Sequence, residues 1–146
     1  MRTARINYYD AAPQAMKAMM ELEKAASKSV LPASLQELVR IRASQINGCA
    51  YCIDLHTADA LKAGETPRRL MAISVWKETP FFDARERAAL LWTETLTLVA
   101  EKHAPDEIYR DVAAHFSEQE LSELTFAIAA INAWNRFGVG FAMQPK

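Results

Sequence analysis

The sequence predicts an all-α protein, and three observations carry that prediction. Apolar residues recur at the three- and four-residue spacing of amphipathic helices through most of the chain. No stretch combines strict apolar–polar alternation with the β-branched residues typical of a strand. Glycine occurs only 4 times in 146 residues, too rarely for the many tight turns of a β-sandwich or barrel. We therefore expect a bundle of six or seven helices.

The first three predicted helices occupy the N-terminal half. They span about 12–28, 35–47 and 49–64, and each carries an apolar stripe at helical spacing. Ser34 and Glu37 have the spacing of a capping box, which predicts the start of the second of these helices. Prolines near the starts and glycines near the ends support the same division.

Four further helices are predicted at about 66–75, 83–100, 105–116 and 117–137. Each follows a residue or pair that favours a helix start: Thr66 with Pro67, the capping box Asp83–Glu86, Pro105, and the capping box Ser117–Glu120. Gly138 is expected to close the last helix. From Leu124 to Trp134 this helix is apolar almost all round, as in helices buried in a core or between subunits, so we expect a homo-oligomer.

The charge balance narrows the function classes. Seventeen basic and eighteen acidic residues give a net charge of -1, which argues against nucleic acid as the main partner. The N-terminus lacks the apolar run of a signal peptide. Polar residues interrupt the longest apolar stretch, 124–141, so no membrane helix is expected. We therefore expect a cytoplasmic protein. In the cytoplasm, two cysteines three positions apart are more often redox-active or metal-binding than a structural disulfide.

One cluster of reactive side chains stands out, formed by Cys49, Cys52 and His56. On a helix these three positions fall within an arc of about 60°. Asn47 and Gly48 end the preceding predicted helix, so the cysteines fall in the first turn of the next one. Unpaired N–H groups and the helix dipole lower the pKa of a thiol there. His56, one turn beyond Cys52, is within reach as a base or as a cation.

Several interpretations of this cluster stay open on the residues alone. A c-type haem site needs His directly after the second cysteine, where this chain has Ile53, and is excluded. A zinc site could use the three clustered residues with Glu37, His103 or His115 as a fourth ligand. A purely structural role is the third interpretation. Glu37 itself is well explained as part of the capping box with Ser34.

The chain also resembles a known family. Glu37, eleven residues, Cys49-Ala50-Tyr51-Cys52, three residues and His56 form a pattern that resembles the AhpD-like alkylhydroperoxidase branch of the carboxymuconolactone decarboxylase superfamily. The segments 44–52 and 131–136 look similar to the same branch. Several fixed spacings make this pattern far more specific than Cys-X-X-Cys alone.

The resemblance implies a fold, an activity and roles for four residues. The fold would be an orthogonal helical bundle assembling as trimers or as hexamers of dimers, and the activity that of a thiol-dependent peroxidase or disulfide reductase. Cys52 would be the peroxidatic cysteine, Cys49 the resolving cysteine, and Glu37 with His56 a proton relay. No bound cofactor is implied beyond a redox-active Cys49–Cys52 disulfide. An external dithiol would reduce it; some members use a lipoyl-bearing protein, and others reduce a peroxiredoxin.

The chain departs from the family pattern in two respects. Tyr51 stands where the better-studied members have a histidine between the cysteines, and those members are duplicated whereas this chain has one copy. We expect one AhpD-like domain over 1–146, with its core at about 31–136. Two alternatives to the peroxidase remain: a non-redox decarboxylase-like enzyme acting on a small organic acid, and a structural or zinc-bound oligomer. The true lactone decarboxylases lack the cysteine pair, which disfavours the first.

Overall fold

A computed structural model describes residues 2–145 and confirms the all-α prediction. Within that range the chain forms nine α-helices and one 3-10 helix and has no strand. The elements are α1 (Tyr8–Ala11), α2 (Pro13–Ser27), α3 (Ala33–Asn47), α4 (Ala50–Lys62), α5 (Pro67–Ala72), the 3-10 helix (Ile73–Glu78), α6 (Ala84–Thr97), α7 (Val99–Lys102), α8 (Asp106–Ala113) and α9 (Glu118–Gly140).

The seven predicted helices correspond to α2, α3, α4, α5, α6, α8 and α9. Both capping boxes at the starts of α6 and α9 are present with both of their hydrogen bonds. Thr66 caps α5 by accepting a hydrogen bond from the N–H of Arg69 at 3.3 Å. α1, which has four residues, was not predicted. The predicted helices at about 66–75 and 83–100 each run a few residues past α5 and α6, into the six-residue 3-10 helix and the four-residue α7.

Two predicted helix ends are wrong. α3 begins at Ala33 with Pro32 as its N-cap, so Ser34 lies in the first turn and forms no cap. Proline fixes φ, here at -55°, and with ψ at 139° it leads directly into the helix. Gly138 does not end α9, because the N–H of Phe141 still donates to the carbonyl oxygen of Phe137 at 2.9 Å.

α3 is the centre of the fold. Its Leu38, Val39 and Ile41 are fully buried. Val39 belongs to an apolar cluster with residues of α6, α8 and α9, whereas Leu38 and Ile41 belong to a second cluster with α4, α5 and the 3-10 helix. Full burial of each such side chain contributes about 1.5–3 kcal/mol. The helix that carries Glu37 is therefore held from both sides.

Polar residues join α3 to α9 inside this apolar surrounding. The Nδ2 amide of Asn47 donates to the Oδ1 atoms of Asn132 and Asn135, each at 2.9 Å. Nδ2 of Asn135 donates to Oγ of Ser44 at 3.0 Å. Asn132 and Asn135 of the last helix thus serve interhelical packing. No helix within residues 2–145 has the length and apolar character needed to cross a membrane.

The capping box of α9 provides a stability test. Oγ of Ser117 accepts the N–H of Glu120 at 3.1 Å. We expect Ser117→Ala to lower the free energy of unfolding by about 1 kcal/mol, measured by urea denaturation. The control is Ser122→Ala on the same helix, where an exposed hydroxyl bonds only its own helix carbonyl; a change within about 0.5 kcal/mol is expected. Equal losses in both variants would contradict the capping assignment.

Candidate active site

A left-handed turn between α3 and α4 places the two cysteines. Gly48, the C-cap of α3, has φ 69° and ψ 34°, a conformation that glycine adopts without steric cost. A Cβ at Gly48 would meet nothing within 4 Å, so the backbone angle alone demands glycine. The N–H of Cys49 then donates to the carbonyl oxygen of Ser44 at 3.0 Å. Cys49 becomes the N-cap of α4, and Cys52 lies in its first turn.

Cys49 and Cys52 form a disulfide with a Cα–Cα distance of 5.3 Å. Both are buried, at 1% and 4% exposure. The N–H of Cys52 donates to Sγ of Cys49 at 3.3 Å. Cys52, and not Cys49, is among the residues that line the adjacent cavity. Chemistry from the cavity side therefore meets the sulfur of Cys52 first.

The cavity beside Cys52 has a volume of about 180 Å³. Its walls are mostly apolar and aromatic, and Glu23 and His56 are its acidic and basic side chains. The remaining lining residues besides Cys52 are Tyr8, Tyr9, Met20, Tyr51, Leu55, Ile131, Trp134 and Gly138. For comparison, an apolar protein cavity of about 150 Å³ is large enough to bind benzene. The cavity suits a small, largely apolar molecule.

His56 is paired with Glu37. Nδ1–H of His56 donates to Oε2 of Glu37 at 3.0 Å, and both side chains are largely buried. A carboxylate only accepts, so the pairing places a proton on Nδ1. In the neutral imidazole, Nε2 is then the nitrogen that accepts a proton. The pair has the arrangement of a base held by a carboxylate.

The surroundings of Glu37 keep it ionised. Burial by itself would raise the pKa of its carboxyl group, but the hydrogen bond and charge of His56 and the charge and hydrogen bond of Arg40 outweigh burial. The net result is a pKa below the ordinary value.

Arg40, which the sequence pattern did not identify, links the pair of Glu37 and His56 to a second carboxylate. Nη1 donates to Oε1 of Glu37 at 2.7 Å, and Nη2 donates to Oε1 of Glu23 at 3.3 Å. Oε2 of Glu23 accepts Nε1–H of Trp134 at 3.0 Å. Arg40 lies three residues after Glu37 on a helix, so the i,i+3 pair was the available signal; Glu23 and Trp134 are distant in sequence.

The N-terminal segment forms one wall of the cavity. Tyr8 is buried and stacks on Phe137 and Phe141, with ring centroids 4.9 and 5.6 Å apart. The main-chain N–H of Arg5 donates to the carbonyl oxygen of Phe141 at 2.9 Å. Burial raises the pKa of Tyr8, with its hydrogen bond to Tyr9 adding to the effect, so the phenol stays protonated. No periodic pattern in the first twelve residues indicated this role.

Of the four predicted site residues, Cys49 and Cys52 form the disulfide, His56 pairs with Glu37, and Cys52 and His56 line the same cavity. The two other histidines lie elsewhere: His103 is the C-cap of α7, and His115 lines a surface depression with Trp76 and Arg87. In the described part of the chain, no group of three or more His, Cys, Asp or Glu residues is placed to hold a metal ion.

Comparison with known proteins supports a family assignment. The sequence profile of the carboxymuconolactone decarboxylase family matches residues 13–95. The uncharacterized protein YdfG of Bacillus subtilis is 44% identical over 135 residues, which cover 92% of each chain. A protein of unknown function from Agrobacterium tumefaciens, named as a candidate AhpD antioxidant defence protein, superposes with a TM-score of 0.96 at 42% identity over 99% of both chains.

A more distant solved structure shares the fold. The debrominase Bmp8, in complex with 2,3,4-tribromopyrrole, superposes with a TM-score of 0.84 at 22% identity, over 94% of this chain and 73% of that one. At this identity the similarity concerns the fold and says nothing about a shared substrate.

The lowered pKa of Glu37 gives a pH-dependent stability prediction. The contacts of the Glu37 carboxylate stabilise the folded state fully above its unfolded pKa of about 4.3. This stabilisation is lost as the pH falls through the pKa of Glu37 in the folded state, which is lower. We expect Glu37→Gln to cost about 1–3 kcal/mol at pH 7.

The stability deficit of Glu37→Gln should shrink in acid. Once Glu37 is protonated, it is as uncharged as the glutamine that replaces it. Urea denaturation of both proteins from pH 7 to pH 3 measures it, and the low-pH points are the internal control. A deficit that does not change with pH would show that charge at Glu37 contributes nothing.

Proposed function

This chain belongs to the carboxymuconolactone decarboxylase family and is an AhpD-like member of it, and on that premise we propose that it is a thiol-dependent peroxidase or disulfide reductase. One observation carries the proposal: the Cys49–Cys52 disulfide borders a cavity that also contains His56, and His56 is held by Glu37. A redox pair, a base and a substrate-sized space thus lie together.

The first proposed step oxidises Cys52. His56 accepts the thiol proton at Nε2, and Glu37 stabilises the resulting imidazolium through its bond to Nδ1–H. The thiolate attacks the terminal oxygen of a hydroperoxide, so an S–O bond forms, the O–O bond breaks and an alkoxide leaves. His56 returns the proton to the leaving alkoxide. The products are the sulfenic acid of Cys52 and an alcohol.

The second step forms the disulfide. The Cys49 thiol attacks the sulfur of the sulfenic acid, the S–S bond forms, and the hydroxyl group leaves as water with the thiol proton. Cys49 is suited to this role because it is three residues from Cys52 and does not line the cavity. It resolves the sulfenic acid and leaves the peroxide to Cys52.

The third step returns the pair to the dithiol. A thiolate of an external dithiol attacks Cys52 from the cavity, and Cys49 leaves as a thiolate. The N–H of Cys52, which donates to Sγ of Cys49 at 3.3 Å, supports that leaving group. The donor's second thiolate then displaces Cys52 and completes the exchange. We propose a lipoyl-bearing protein as this electron donor, in the reducing cytoplasm. A peroxiredoxin would be the partner on the other side of the cycle, as a disulfide that the dithiol form of this chain reduces.

The cavity favours this reaction over a non-redox reaction on an organic acid. A carboxylate substrate needs a cationic partner. The lining residues include neither lysine nor arginine, and His56, the basic side chain of the cavity, is already paired with Glu37. Glu23 faces the same space and would repel an anion. The proposed substrate is therefore a small, uncharged organic hydroperoxide.

We also retain the homo-oligomer, as trimers or hexamers of dimers, as a proposal. Phe126 on α9 is 60% exposed and Met71 on α5 is 76% exposed, which are large apolar side chains for a solvated surface. In an assembly, other copies of this chain would bury these two side chains.

Substitution of each cysteine tests the redox cycle. We expect Cys52→Ser to abolish dithiol-dependent hydroperoxide consumption, because no thiolate then faces the cavity. Cys49→Ser should consume about one peroxide per chain and stop at a sulfenic acid, which dimedone traps for mass spectrometry. Peroxide assays with dihydrolipoamide measure the turnover of Cys52→Ser, assays of the pre-reduced protein without added thiol measure the single turnover of Cys49→Ser, and circular dichroism checks folding. Undiminished turnover by Cys52→Ser would overturn the proposal.

Substitution of His56 tests the relay. We expect His56→Asn to lower the rate constant for oxidation of Cys52 by about 10²–10⁴-fold, the range for loss of a general base. The matched control is His103→Asn, at an exposed position with φ 55° that asparagine tolerates. Stopped-flow measurement of peroxide loss should find the control unchanged; equal rates in the two variants would remove His56 from the mechanism.

A further inference from the structure

Gly138 marks the closest approach of α9 to the two sulfur atoms. It is buried within α9 and lines the cavity with Cys52. A Cβ built on Gly138 would lie closer than 3.0 Å to Sγ of Cys49, a separation that Cβ atoms essentially never adopt, and 3.3 Å from Sγ of Cys52. The positive-φ glycines in the described residues are Gly48 and Gly64, so the backbone at Gly138 does not require glycine. What glycine provides at position 138 is the absence of a side chain next to the sulfur atoms.

The space is needed by the sulfur atoms and not by the rest of Cys49. The same Cβ would be 3.9 Å from Cβ of Cys49, an ordinary van der Waals contact. In the dithiol no bond joins the two sulfur atoms, and rotation about χ1 offers Sγ of Cys49 other staggered positions. In the disulfide, the S–S bond holds Sγ of Cys49 where a methyl group at position 138 would lie. Added volume at Gly138 therefore disfavours the disulfide more than the dithiol.

We propose that Gly138 is a positioning residue for the redox pair. By leaving room for Sγ of Cys49, it stabilises the disulfide relative to the dithiol and so sets the redox equilibrium of Cys49 and Cys52. The inference rests on the proposed function, because it assumes that the pair cycles between these two states. With glutathione as the probe, two glutathione thiols reduce the protein disulfide to two cysteine thiols and become glutathione disulfide.

Gly140 provides a matched control on the same helix. A Cβ at Gly140 would meet nothing within 4 Å. Replacing either glycine by alanine raises the helix propensity of α9 in both redox states. That effect cancels in the dithiol–disulfide equilibrium, which leaves the contact with sulfur as the difference between the two variants.

The experiment measures the redox equilibrium directly. Wild-type, Gly138→Ala and Gly140→Ala proteins are equilibrated in mixtures of reduced and oxidised glutathione, and free thiols are counted by alkylation and mass spectrometry. We expect Gly138→Ala to lower the equilibrium constant for disulfide formation about tenfold or more. A tenfold change makes the potential about 30 mV less negative. Gly140→Ala should match the wild type within about twofold.

The outcomes separate this inference from the proposed function. If the wild type titrates and all three proteins share one equilibrium constant, the inference is overturned and the redox proposal stands. If the wild-type pair forms no disulfide at any glutathione ratio, the proposed function fails and the inference fails with it.

Thermal unfolding keeps the test decisive if Gly138→Ala folds poorly. We expect its loss of Tm, relative to Gly140→Ala, to occur in the oxidised protein and to disappear with reductant. The loss should also disappear when Cys49 is replaced by alanine, which removes the sulfur at position 49. Gly138→Ala/Cys49→Ala is then compared with Gly140→Ala/Cys49→Ala. An equal loss in the reduced protein, or persistence of the loss between the two double variants, would overturn the inference.

Discussion

A hydrogen-bonded cluster between α3 and α9 fixes the register on which the site depends. Asn47, immediately before the Gly48 turn, donates to Asn132 and Asn135, and Asn135 in turn donates to Ser44. Asn135 is 1% exposed, and a buried polar group left unpaired costs about 1–3 kcal/mol. Sliding α9 along α3 by one turn would break all three bonds at once. Apolar contacts alone tolerate such a shift more readily, so the cluster holds the C-terminal part of α9 against the cysteine turn.

The charged groups around His56 also depend on contacts between helices. Arg40 is 7% exposed and has Glu37 on one side and Glu23 on the other. A buried guanidinium is tolerated only when it is paired, and these carboxylates come from α2 and α3. Glu37 reaches α4 through His56, and Glu23 reaches α9 through Trp134. Glu37, the carboxylate that pairs with His56, therefore belongs to a hydrogen-bonded network that joins four helices.

The sequence was sufficient where the determinants are local. The helices capped by Asp83 and Ser117 have both hydrogen bonds of a capping box within four residues. The spacing of the cysteines and His56 indicated the candidate site, and the family resemblance added Glu37 to it. Ser34 misled because a proline two residues earlier begins the helix first. The N-terminal wall was not predictable, because Tyr8 is placed by contacts with Phe137 and Phe141 more than a hundred residues away. Gly138 has the pattern of a helix stop, and only the position of the sulfur atoms gives it another purpose.

Folds of this kind host more than one reaction, so the choice of reaction must come from the site. A thiolate at Cys52 would develop in an apolar cavity beside Glu23. An anionic substrate would lose its hydration there and meet like charge, with no lysine or arginine among the lining residues to compensate. A neutral molecule avoids both costs. Its reactive atom must accept an electron pair from sulfur without prior activation by a cation, and the weak O–O bond of a hydroperoxide meets that requirement. In the reaction we propose, the alkoxide that leaves needs a proton at once, and His56, which lines the same cavity as Cys52, would return the proton that it took from the thiol.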